Sequence, residues 1–163
     1  MVTVRWVIGA LLVAVVSTLG CAGPAQGPTI IDNSSGWQNK WDRAVAEVTS
    51  FINREPKFAL AYNNRGFTYY YGGEYDKAIA DYNKAIELDP RLALAYNNRG
   101  LAYHGKQEYG QAIADYTRAI EIDPAYAQAY QNRASTYYKL GQLDKFADDY
   151  KKYQELSGLK RTP

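Results

Sequence analysis

What most constrains this chain is an internal copy of itself. The octamer from Ala59 to Gly66 recurs letter for letter from Ala93 to Gly100, a shift of 34 positions. The same shift carries Ala78–Tyr82 onto Ala112–Tyr116 and Asp89-Pro90 onto Asp123-Pro124. A weaker third copy opens at Ala127, with Tyr130 in register with Tyr62 and Tyr96, and Arg133 in register with Arg65 and Arg99. A period of this length belongs to helix-turn-helix units, none of which can bury its apolar face alone, so the copies must stack on one another.

Inside the first copy Tyr62, Gly66 and Tyr69 keep helical spacing, Gly72-Gly73 interrupts it, and Tyr75, Ala78, Tyr82 and Ala85 resume it. That pattern predicts two helices of about four turns each. Glycines at 72 and 73 suit a helix C-terminus, and Asp89 followed by Pro90 reads as the N-cap and first residue of the next helix. Gly66, Ala78 and Ala85 are small where two helices must approach, and Tyr62, Tyr69 and Tyr82 fill the space beside them. These residues in this order resemble the tetratricopeptide repeat (TPR), over roughly Trp41 to the C-terminus. The resemblance implies an all-α helix-turn-helix solenoid of three repeats, 59–92, 93–126 and 127–160, behind an N-terminal capping helix over 37–55 that starts near Ser34 or Ser35. In the third repeat Phe146 and Tyr153 replace small alanines and Gly158 replaces the proline, as suits a terminal repeat whose outer face meets water.

Arg65, Arg99 and Arg133 stand where many TPRs place a buried leucine, and a guanidinium there needs an acidic partner or a route to solvent. Glu47, Asp81, Asp115 and Asp149 form a second series with the same period on the second helices. Each arginine is expected to pair with one of them, and pairing within a repeat and pairing with the preceding helix both remain open.

By the same resemblance the first helices line a concave, partner-binding face. Its residues here are Leu60, Asn63, Asn64, Phe67, Tyr70 and Tyr71, then Leu94, Asn97, Asn98, Leu101 and His104, then Gln128, Gln131, Asn132, Ser135 and Tyr138. Asn64, Asn98 and Asn132 recur once per repeat, and a column of carboxamides can meet the alternating N–H and C=O groups of an extended peptide. The alternative is that these amides are solvated residues copied by duplication. Some TPR domains grip a terminal carboxylate with Lys and Asn in the first repeat, Asn in the second, and Lys and Arg in the third. This chain has Asn63 and Phe67, then Asn98, then Gln128 and Asn132, so Asn98 alone matches. Tyrosines and amides also suit sugar rings, which leaves glycan or peptidoglycan binding as a second reading, although an open helical rack offers little of the enclosed pocket that small ligands prefer.

The chemistry of an enzyme is not written here. One His and one Cys cannot supply a clustered metal site, His104 has no acidic or nucleophilic partner at a fixed spacing, and no Gly-rich phosphate loop follows a strand. No cofactor or metal is expected. A net charge of +2 gives no field that would gather nucleic acid.

The first twenty residues read as an export signal: Arg5, then an apolar run from Trp6 to Leu19. At 14 residues the run falls short of the roughly 20 that cross a bilayer core. Ser17 to Gly20 ahead of Cys21 resembles the bacterial lipobox, with Thr18 where leucine is usual, and the resemblance implies acylation of Cys21, palmitate included. The alternative is ordinary secretory cleavage after Ala22. Residues 21–36, rich in Gly, Pro and Ser, read as a flexible tether. Ala22 rather than Asp after the cysteine implies the outer membrane in a two-membrane envelope.

Overall fold

The computed structural model describes residues 34–158, with side chains from Trp41 onward. Cys21, the expected signal 1–20 and the tether as far as residue 33 lie outside the described residues. Seven helices and no strand occupy the described residues: α1 (Ser34–Arg54), α2 (Ala59–Tyr71), α3 (Tyr75–Leu88), α4 (Ala93–Gly105), α5 (Tyr109–Ile122), α6 (Ala127–Lys139) and α7 (Leu143–Ser157). The all-α TPR architecture inferred from the period is the one observed. α1 begins at Ser34, so Ser34 to Gly36 belong to the helix rather than to the tether.

Within the unit that starts at Trp41, α2 packs on α3, α4 on α5 and α6 on α7, and each second helix meets the next repeat's first helix. First helices also touch across repeats, α2 to α4 and α4 to α6, whereas the second helices do not approach one another comparably. A stack that closes up along its first helices curves toward them, which makes their outward row the concave face.

The core follows from side-chain size. Ala78, Tyr82, Ala85 and their repeat mates Ala112, Tyr116 and Ala119 are fully buried. A Cβ on Gly66 would stand 2.8 Å from the Tyr82 ring, and one on Gly100 would stand 2.6 Å from that of Tyr116. Glycine therefore creates the slot that the tyrosine fills. In the third repeat the slot residue is Ala134, and Tyr150, in register with Tyr82 and Tyr116, is 41% exposed on the last described helix.

The repeat turns place a residue in the left-handed region at one position per repeat: Gly73 (φ 76°), Gln107 (φ 63°) and Gly141 (φ 71°). Gln107 pays the steric cost that glycine avoids. The Asp-Pro pair does not cap the following helix as expected. Asp89 ends α3, and its carboxylate accepts a hydrogen bond from the Arg91 N–H at 2.9 Å, while α4 starts at Ala93 without a side-chain cap. Asp123 repeats the turn with the Ala125 N–H at 3.0 Å. Three residues separate the aspartate from the new helix, too many for it to act as N-cap.

Candidate functional site: the face of the first helices

Each arginine of the series pairs inside its own repeat. Arg65 donates from Nε and Nη2 to Asp81 at 2.8 and 2.7 Å, Arg99 to Asp115 at 2.8 and 2.6 Å, and Arg133 to Asp149 at 2.7 and 2.8 Å. The remaining Nη1 reaches back to the preceding second helix, to Thr49 Oγ1, Asn83 Oδ1 and Thr117 Oγ1 at 3.2, 2.6 and 2.8 Å. The guanidinium also lies over the ring of Tyr62, Tyr96 or Tyr130, at 5.7, 5.5 and 5.8 Å from its centroid. Hydrogen bonding to Asp115 raises the Arg99 pKa and outweighs the opposing effect of burial. Each arginine thus fastens its own two helices and also the repeat before. Thr49, Asn83 and Thr117 are spaced by one period, so this third series was visible in the sequence, but neutral acceptors carry no charge to flag them.

The amides behave differently from their reading as ligand contacts. Asn98 Nδ2 donates to Asn63 Oδ1 at 3.0 Å and Asn132 Nδ2 to Asn97 Oδ1 at 2.9 Å, each crossing from one repeat to the previous one. Longer bonds inside the Asn-Asn pairs join these crossings: Asn63 to Asn64 at 3.3 Å and Asn97 to Asn98 at 3.4 Å. Gln128 Nε2 extends the chain by donating to Asn132 and Gln131. Asn63, Asn97 and Asn98 are only 2, 2 and 5% exposed. A buried carboxamide is costly unless its donors and acceptors are met, so these three hold the repeats in register at the floor of the face. Asn64, Gln131 and Asn132 stay half-buried, and Gln128 and Ser135 are exposed.

What the first two repeats present to solvent on this face is mainly apolar, and in the third Tyr138 stands among the exposed Gln128, Ser135 and Lys139. Leu60 and Leu94 are 37 and 38% exposed, Tyr71 57% and Tyr138 60%. Phe67, Tyr70, Leu101 and His104 are half-buried beside them. Tyr71 is the hub at one end, stacked on Trp41 at 6.0 Å and edge-on to Phe67 and Tyr70 at 4.7 and 5.4 Å. Gly105 occupies the repeat position of Tyr71 and leaves room for the Tyr75 ring, which a Cβ there would meet at 2.8 Å. The row grades in polarity: Leu60, Phe67 and Tyr71 in the first repeat give way to Gln128, Ser135 and Lys139 in the third.

His104 lies edge-on to Tyr109 at 5.2 Å, and its Nε2 is buried without a hydrogen-bond partner. Burial, and after it the charge of Lys139, lowers its pKa. No carboxylate hydrogen-bonds it, so the imidazole is a neutral part of the surface. Among the described residues no group of three or more His, Cys, Asp or Glu is gathered to hold a metal ion, and no helix is long and apolar enough to cross a membrane.

Models of the tetratricopeptide repeat match residues 68–107, 93–126 and 115–145. No curated protein sequence matches the chain. Among solved structures, the second TPR domain of Spaghetti (RPAP3), bound to the HSP90 peptide SRMEEVD, shares 31% identity with a TM-score of 0.60, over 64% of this chain and 97% of its own. MamA shares 29% with a TM-score of 0.65, over 72% of this chain and 64% of its own. The Arabidopsis OM64 TPR domain shares 27% with a TM-score of 0.61, over 64% and 86%.

Proposed function

This chain belongs to the tetratricopeptide-repeat family, and from that premise we propose that it is a non-enzymatic protein-interaction scaffold whose first-helix face holds an extended segment or helix of a partner protein. The observation that carries this reading is the solvent-facing row of Leu60, Tyr71, Leu94 and Tyr138, each more than a third exposed. Aromatic and aliphatic side chains grouped on one face, above a floor of mutually bonded amides, have the composition of an interface core. The RPAP3 domain similar to this chain holds an HSP90 peptide, which supports a peptide-sized partner.

The ligand chemistry differs from a terminal acidic motif. The positions in register with the cations of a carboxylate clamp hold Asn63, Gln128 and Asn132, and Asn98 in its second-repeat position is 5% exposed and bonded to Asn63. Affinity then rests on apolar contact, with a dissociation constant around micromolar and a weak dependence on salt. With a partner recovered by crosslinking from native membranes, Tyr71→Ala combined with Tyr138→Ala should weaken binding at least about tenfold. Lys84→Ala, at a half-buried residue paired with Glu87 on a second helix, should leave it unchanged. Equal losses from both variants would sink the assignment of this face. Binding of purified peptidoglycan fragments, abolished by the same pair, would move the reading to a glycan.

The scaffold is tethered by lipid to a bacterial envelope, on the outer membrane where the organism has one. The support is the apolar run ending in Gly20-Cys21, the chain's single cysteine. Several acyl chains, at about 0.8 kcal/mol per buried methylene, anchor durably where one is marginal. Labelled fatty acid should be incorporated by the wild type and not by Cys21→Ser, and incorporation by the variant would refute the anchor.

A further inference from the structure

The last described helix, α7, carries an apolar face that is unlike the first two repeats in a specific way. At its positions 146, 150 and 153 stand Phe, Tyr and Tyr, where α3 has Ala78, Tyr82 and Ala85, and α5 has Ala112, Tyr116 and Ala119. The six internal residues are fully buried under the next helix, whereas Tyr150 is 41% exposed. Leu140, after α6, and Leu143, at the start of α7, are 43 and 59% exposed. Phe146, Tyr150 and Tyr153 form one aromatic stair, with centroids 5.5 and 6.0 Å apart, and Tyr138 joins it at 5.5 Å.

A further repeat of this chain's own kind does not fit there. Each internal second helix offers a neutral acceptor to the following arginine, Asn83 to Arg99 and Thr117 to Arg133. The equivalent residue on α7 is Lys151, which would face that arginine with a like charge.

The charges flanking the stripe suggest what does fit. Asp144 and Lys151 are both exposed, lie seven residues or two helical turns apart on one flank, and neither forms an ion pair among the described residues. When two identical helices pack antiparallel about a two-fold axis, equal flanks face each other. Asp144 of each copy then meets Lys151 of the other, and Leu143, Phe146 and Tyr150 close over their counterparts. We propose that a second copy of this chain docks antiparallel on α7, forming a two-fold dimer through that helix.

The test is sedimentation of the purified full chain, in detergent where it carries acyl chains, across the micromolar range. The wild type should be a dimer. Lys151→Asp places two carboxylates against two others and should raise the dimer dissociation constant at least about tenfold, and Asp144→Lys combined with Lys151→Asp should restore it to within about threefold. Tyr150→Ala should yield monomer with unchanged helix content by circular dichroism. A wild type that stays monomeric, a dimer indifferent to Lys151→Asp and Tyr150→Ala, or a loss on Lys151→Asp that the swap does not repair would each overturn the proposal.

Discussion

Removing the carboxylate of Asp115 isolates what the arginine fastening contributes. The Arg99 side chain is 21% exposed and that of Asp115 8%, so Asp115→Ala leaves a mostly buried cation without its bidentate partner. Breaking one side of a buried pair costs about 3–5 kcal/mol. Arg99 retains its hydrogen bond to Asn83 at 2.6 Å, its place over Tyr96 and an edge to solvent. We therefore expect the lower end, about 3 kcal/mol, a large share of the roughly 5–15 kcal/mol that holds a domain of ordinary stability. Urea unfolding followed by far-UV circular dichroism measures it. The companion variant Arg99→Met with Asp115→Leu removes both charges and should return to within about 1 kcal/mol of wild type, since apolar replacement of a buried pair is often neutral. If Asp115→Ala costs under about 1 kcal/mol, or if the double variant is as unstable as the single one, the pair is not what fastens the two helices.

Gln107→Gly relieves a side chain held at φ 63° and should stabilise the fold by about 1 kcal/mol in the same unfolding assay. Gly100→Ala gains about 1 kcal/mol of helix propensity but sets a Cβ 2.6 Å from the fully buried Tyr116 ring, so overpacking of about 1–3 kcal/mol should win and lower the midpoint. His104 has a folded pKa below its ordinary value, so the unfolded chain takes up the proton first as pH falls. Its neutral form therefore stabilises the fold above the ordinary histidine pKa of about 6.5, and that contribution is lost on acidification below it. His104→Gln should flatten this part of the stability–pH curve, and an NMR titration of the chain's single histidine should give a midpoint below the ordinary one.

The fold was legible because one number, the 34-residue shift, relates helices, turns and small residues at once. Gly66 and Gly100 facing Tyr82 and Tyr116 could be read as helix contacts from spacing alone. The partner of each arginine could not: Arg65 lies 16 residues before Asp81 and 18 after Glu47, and spacing does not decide between a helix on either side. The amides misled for a different reason. Polar residues on a first helix read as surface, yet Asn63 and Asn98 bond at 3.0 Å across a contact between two such helices, where each supplies what the other lacks. The Asn63-Asn64 and Asn97-Asn98 doublets were the available signal, since an offset of one period plus one residue joins the first amide of one pair to the second of the next. The exposed remainder of the face, Tyr71 and Tyr138 above all, is apolar and ungated by any motif, so the sequence names the residues without naming their partner.

Site-specific photocrosslinking in native membranes tests the central claim most directly. A photoreactive residue at 71, 101 or 138 on the first helices should each yield an adduct with the same partner protein, and one at 84 on the opposite side should not. Adducts confined to position 84, or different partners from each first-helix position, would contradict a partner held along this face.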